Sequence, residues 1–147
     1  MKLLTIILIA LVVVIAAGAL WVRLMPLPAE QAQPQTVGDM PEPGDYPAPR
    51  AFTAVREVAE PEAALRRLSD VALATRRTRL LSGSVEEGRL RFVTRSLVFG
   101  FPDITTVWTA PGRVALHGGA VMGARDMGVN AKRLRGWLDA AGLPPEA

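Results

Sequence analysis

Side chains able to do chemistry are few and scattered. The 147-residue chain has one histidine, His117, and no cysteine. Thiolate chemistry and disulfides are excluded, and one histidine disfavours a histidine-based metal site or a multi-histidine acid–base system. A hydrolytic reading would use His117 with Asp103 and Asp126, and Ser96 or Thr106 as nucleophile. None of these sits in a nucleophile elbow, a metal-ligand spacing or a phosphate loop. The structural readings are simpler: His117 as a surface or packing histidine, Asp103 as a turn residue, Asp126 and Asn130 as residues that start a helix. The reading that keeps a function here is an anion pocket made by Arg125 and that helix N-terminus. Gly118-Gly119 would let a ligand approach the backbone, or let the last helix pack close to its strand. The candidate ligand-binding residues are therefore Arg125, Asp126, Asn130 and His117. No catalytic residue, metal ligand or cofactor is expected.

The helix that would hold Asn130 is marked by Leu134, Trp137, Leu138 and Ala141, an apolar stripe that leaves Lys132, Arg133 and Arg135 largely outside. Gly142 and Pro144-Pro145 end it. Its start has two readings. Asn130 is the N-cap of a helix from Ala131, or the helix starts near Asp126, capped by Asp126, and Asn130 enters the core face. In the second case its amide must be hydrogen-bonded, because an unpaired buried amide costs about 1–3 kcal/mol.

The preceding chain supplies a sheet. Residues 52–58 read as a strand. Pro61 then opens a helix whose inner face is Ala64, Leu65, Leu68, Val71, Ala72 and Thr75. Residues 78–85 read as a strand, Glu86-Glu87-Gly88 as a turn, and 89–98 as an alternating strand with Leu90 and Phe92 on one side and Arg89, Arg91 and Arg95 on the other. Pro102 is expected to break the ladder at a corner of residues 99–103. Residues 104–110 are rich in β-branched side chains, Pro111-Gly112 is a type II turn signature, and Val114, Leu116, Ala120 and Met122 share a face with His117 opposite. The expected fold is α+β, an antiparallel sheet of about five strands with two helices on one face, in the order β-α-β-β-β-β-α. Leu65, Leu68, Phe92, Trp108, Leu134, Trp137 and Leu138 are expected to be buried together.

Ahead of this unit, residues 3–22 carry no charge in twenty positions, enough to span a bilayer core of about 30 Å. Trp21 and Arg23 suit the far interface. Ala17-Gly18-Ala19 also has the form of a signal-peptidase site, so anchor and cleaved signal are both open, with the run past the site to Val22 favouring the anchor. Either way the C-terminal part is delivered across the membrane, which in a bacterium is the inner membrane with the domain in the periplasm. Residues 24–49 hold seven of the twelve prolines and four acids without Lys or Arg. Such a stretch is expected to stay out of sheet and helix and to act as a spacer of up to about 80 Å. The expected division is thus an anchor over 1–23, a linker over 24–49 and a domain over 50–147. From Arg50 onward fifteen Arg or Lys stand against ten Asp or Glu, a local charge of +5. Most of the basic residues are Arg, as in a solvated surface, and nucleic acid is not an expected partner.

Two segments resemble a known family: Phe99-Gly100-Phe101-Pro102-Asp103-Ile104-Thr105-Thr106-Val107, and Gly123-Ala124-Arg125-Asp126-Met127-Gly128-Val129-Asn130 with Arg133. They resemble the bacterial and plastid family called domain of unknown function 1499, over about residues 51–143. Several bacterial members have a similar layout, with an N-terminal anchor. The resemblance implies no activity, cofactor or catalytic residue, because the family has none established. Where the family's last strand ends in a polar run, this chain has His117-Gly118-Gly119-Ala120, so an anion bound there in relatives would be bound differently here. The leading functional expectation is an extracytoplasmic domain that binds a lipid or small apolar ligand, by fold analogy. The alternatives are a protein-interaction module of a cell-envelope complex and, third, a hydrolase. A roomy gap between sheet and helices would favour the ligand, a filled core the interaction module.

Overall fold

The computed structural model describes residues 1–27, 40–122 and 127–145. The element order is α1 (Lys2–Leu24), β1 (Gly44–Ala48), β2 (Ala51–Glu57), α2 (Pro61–Ala74), β3 (Thr78–Ser84), β4 (Arg89–Arg95), β5 (Pro102–Ala110), β6 (Arg113–Ala120) and α3 (Val129–Ala140). The six strands form one antiparallel sheet in the order β1-β2-β6-β5-β4-β3. The expected α+β class is what the molecule adopts, with one strand more than expected.

That extra strand is β1, and it lies inside the stretch expected to be a linker. The folded domain therefore begins upstream of residue 50. Proline did not prevent this because β1 is an edge strand, where Pro47 has one side free of ladder partners. Side chains fasten it. Asp45 pairs with Arg56 at 2.8 Å and with Arg135 at 2.9 Å. Burial alone would raise the Asp45 pKa, but hydrogen bonds from Arg56 and Arg135 outweigh it and hold the carboxyl below its ordinary value. Arg135 also lies over the Phe52 ring, 4.7 Å from its centre. Pro102, expected to break the ladder, instead opens β5 opposite Arg95, a position where a strand tolerates proline.

Both α2 and α3 cover one face of the sheet. Leu65 and Leu68 from α2 and Leu134, Trp137 and Leu138 from α3 pack with Phe52, Leu90, Phe92, Val107 and Leu116. Phe92 meets Trp137 edge-on at 6.0 Å. Pro61 is at the first helical position of α2, as its fixed φ favours. Gly112 has φ of 71°, which the expected type II turn requires.

Trp108 departs from expectation. It is fully buried, but on the opposite face, with Val55, Ala115 and Met40. Val107 takes the helix-facing position because it pairs with Leu116 and Leu90, both of that face. β5 is thus buried on both sides, and its largest side chain does not decide its orientation.

α1 is long and apolar enough to cross a membrane. Its last turn touches the domain. Arg23 Nη2 donates to the carbonyls of Leu97 (3.2 Å) and Val98 (3.0 Å), and Arg95 Nη1 donates to those of Val22 (3.0 Å) and Gly100 (2.9 Å).

Candidate functional site

The antiparallel meander gives the sheet two ends of opposite character. At one end the chain turns through Glu86-Glu87 and Pro111-Gly112, near Glu57, Glu60 and Glu62. At the other lie the α2–β3 connection with Arg76 and Arg77, the β4–β5 corner, the end of α1 and the start of α3. Arg23, Arg79, Arg95 and Lys132 belong to this second end. Burial, and then the charge of Arg79, lower the Arg95 pKa.

A groove of about 510 Å³ runs there between the end of α2 and the first turns of α3. It is lined by Thr75, Arg76, Arg77, Thr94, Lys132, Arg133 and Trp137, among others. Its wall is braced. Trp137 Nε1 donates to Thr75 Oγ1 at 2.8 Å, and the Thr78 and Thr94 hydroxyls share a hydrogen bond of 2.8 Å. Arg133 is the hub. It pairs with Asp103 at 3.2 Å and donates to Asn130 Oδ1, while its buried Nε has no partner among the described residues. The Thr105 hydroxyl, fully buried nearby, also lacks one among the described residues.

Asn130 is fully buried on the core face of α3. This is the second of the two expected placements, with a different start. The helix begins at Val129, and the N-cap position is Gly128 in the left-handed conformation. Asn130 sits over Gly118. A Cβ placed on Gly118 would lie 2.8 Å from Leu134 Cδ1, 3.1 Å from Asn130 Oδ1 and 3.3 Å from Thr105 Oγ1. The glycine lets α3 approach the strand, the packing role that was one of its two readings.

The candidate residues read from sequence are not all brought together. Asn130 is at the groove through Arg133. His117 is on the opposite face of the sheet, where its Nδ1 meets Thr53 Oγ1 at 2.8 Å. It is separated by the sheet from Asp103, which faces α3. Ser96 Oγ accepts from the Phe101 backbone N–H at 2.9 Å and closes the corner. Arg125 and Asp126 lie outside the described residues. Among the described residues, no three His, Asp or Glu side chains gather into a group that could hold a metal. Sequence reasoning passed over Arg76, Arg77, Thr94 and Lys132. The signal was the run of arginines just past the apolar phase of α2, which composition alone makes look like a solvated face.

A family model described as a protein of unknown function, DUF1499, matches residues 25–140. The chain belongs to that family. No curated protein matches it. The family match begins directly after α1 and so includes β1, in agreement with its place in the sheet.

In this DUF1499 domain His117 gives a pH test. Burial lowers its pKa, so the folded state takes up a proton less readily than the unfolded state. Its stabilising effect is complete above the unfolded value of about 6.5 and is lost as pH falls from there through the folded value. The melting temperature is expected to drop between pH 7.5 and 5, and His117→Gln to flatten that part of the curve. Superimposable curves for parent and variant would show that His117 titrates alike in both states.

Proposed function

We propose that this protein is a single-pass, membrane-anchored domain of the bacterial inner membrane, facing the periplasm, whose basic groove takes the phosphate-bearing headgroup of an anionic lipid. One observation carries the reading. Arg77 lines both the groove and a second depression formed with Arg23, Arg95, Ser96, Leu97 and Gly100. Arg23 directly follows the apolar run of α1, so the groove opens where the chain leaves the bilayer. Each cation near an anionic leaflet is worth about 1 kcal/mol, and arginine forks match phosphate oxygens. The anchor fits the uncharged run, and α1 packs against the corner rather than standing apart.

The core argues against an apolar ligand between sheet and helices. Leu65, Leu68, Phe92, Leu116, Leu134 and Leu138 are all fully buried there. A headgroup bound outside the core needs no such gap.

Native mass spectrometry of the full chain, released from its own membranes in mild detergent, is expected to show a retained anionic phospholipid. Arg76→Glu combined with Lys132→Glu should reduce the retained fraction severalfold while the melting temperature stays put, since both side chains are exposed. Equal retention in the variant would remove the groove from the account. A lipid-free chain that carries a bound protein would favour the interaction module.

A further inference from the structure

The β4–β5 corner, residues 96–101, is built differently from the other turns of this domain. The turns at the far end carry Glu86, Glu87, Pro111 and Gly112. The corner presents Leu97, Val98, Phe99 and Phe101, exposed by 67%, 66%, 43% and 40% respectively. Four large apolar side chains on one tip have no use in water.

Their position relative to α1 identifies what they meet. Phe99 and Phe101 line an apolar depression of about 360 Å³ with Ile15, Gly18, Ala19, Trp21 and Val22. Ile15 is nine residues inside the end of α1, about 13 Å along the axis at 1.5 Å per residue. The two rings therefore lie beside the last turns of the apolar run, not beyond it. Their centres are 5.5 Å apart, so they form one wedge.

Backbone that enters hydrocarbon must have its polar groups satisfied by the protein. The corner meets that condition at most of its carbonyls and at both ends. Ser96 N–H donates to Phe101 O at 2.9 Å, and Phe101 N–H donates to Ser96 Oγ at 2.9 Å. Leu97 O and Val98 O accept from Arg23, and Gly100 O accepts from Arg95. With α1 in a bilayer, the two guanidinium groups would lie at the level of the headgroups while their donors reach the corner. A cation at this depth is where long side chains snorkel.

We propose that residues 97–101 form a second membrane contact, an apolar wedge that enters the outer part of the bilayer beside α1 and holds the domain against the lipid surface. The occupant is the acyl region of the leaflet that α1 leaves, given by continuity with α1 and by the arginines that ring the wedge. The groove is not needed for this contact, so the two can fail separately.

The chain has no cysteine, so a single introduced thiol can carry a polarity-sensitive fluorophore. The full chain is reconstituted in nanodiscs of phosphatidylethanolamine and phosphatidylglycerol with the label at Val98→Cys, at Leu97→Cys or, as control, at Glu87→Cys. Both corner probes are expected to emit to the blue of the Glu87 probe and to be quenched by lipids brominated on their acyl chains. The Arg76→Glu, Lys132→Glu variant should leave that quenching unchanged. Corner probes that emit like the Glu87 probe would overturn the proposal. So would blue-shifted probes that brominated lipid does not quench, because protein rather than lipid would then cover the corner.

Discussion

Leu68→Ala is expected to lower the stability of the folded domain by about 2–5 kcal/mol, the cost of deleting a fully buried leucine and leaving its space unfilled. Leu68 is at the centre of α2's inner face, has no exposed surface and belongs to the cluster that joins α2 and α3 to the sheet. Its neighbours cannot easily close the gap. Phe92 and Trp137 are held edge to face, and Trp137 is tied to Thr75 through its indole N–H. Leu73→Ala, on the same helix but 50% exposed, should change stability by no more than about 0.5 kcal/mol. Denaturant unfolding of the detergent-solubilised chain, followed by tryptophan fluorescence, reads both. Equal midpoints for the two variants would show that α2 does not pack on the sheet through this face.

The second large effect is expected at Arg56, which no local pattern marks. Arg56 is 3% exposed. Its Nη2 pairs with Asp45, Nη1 donates to Val55 O at 2.9 Å and Gly44 O at 3.4 Å, and Nε donates to Pro144 O at 3.1 Å and Leu143 O at 3.4 Å. One guanidinium thus fastens the edge strand and the C-terminal tail to β2. Arg56→Met keeps most of the stem volume but removes every donor. Breaking a buried pair from one side costs about 3–5 kcal/mol, and Arg135 still holds Asp45, so the lower end of that range is expected. Amide exchange distinguishes this from general loosening. The amides of β1 and of residues 143–145 should exchange faster, while those of β4 and β5 lose protection only by the global amount. Unchanged exchange in β1 would mean that Arg135 alone is sufficient to hold it.

Both effects show where local pattern is informative. The stripe of α2 predicts Leu68 because a helix against a sheet has one inner phase, and spacing alone reveals it. The same is true of Leu134, Trp137 and Leu138 on α3, of the Pro111-Gly112 turn and of the run in α1. Each depends on residues a few positions apart, whose geometry the backbone fixes. Arg56 is different. Among β-branched and small residues it looks like an outward-facing position, and its burial comes from Asp45 and a tail more than eighty residues away.

The sequence by itself determined the apolar span, the two amphipathic helices, the hairpins and the α+β class, because helix and strand periods are local properties. Tertiary structure decided the rest. Alternation divides β5 into two faces but does not say which one the helices cover. That was settled by pairing Val107 with Leu116 and Leu90, and it placed Trp108 on the far side. Pairing of β2 with β6 likewise put His117 beside Thr53, with Gly118 beneath Asn130 on the other face, although the two residues are adjacent in the chain. The Asp103–Arg133 pair joins positions thirty residues apart, and β1 became a strand only because an edge was open to it. A one-residue step along a strand reverses the face of a side chain, so membership of the groove is a property of register rather than of residue type.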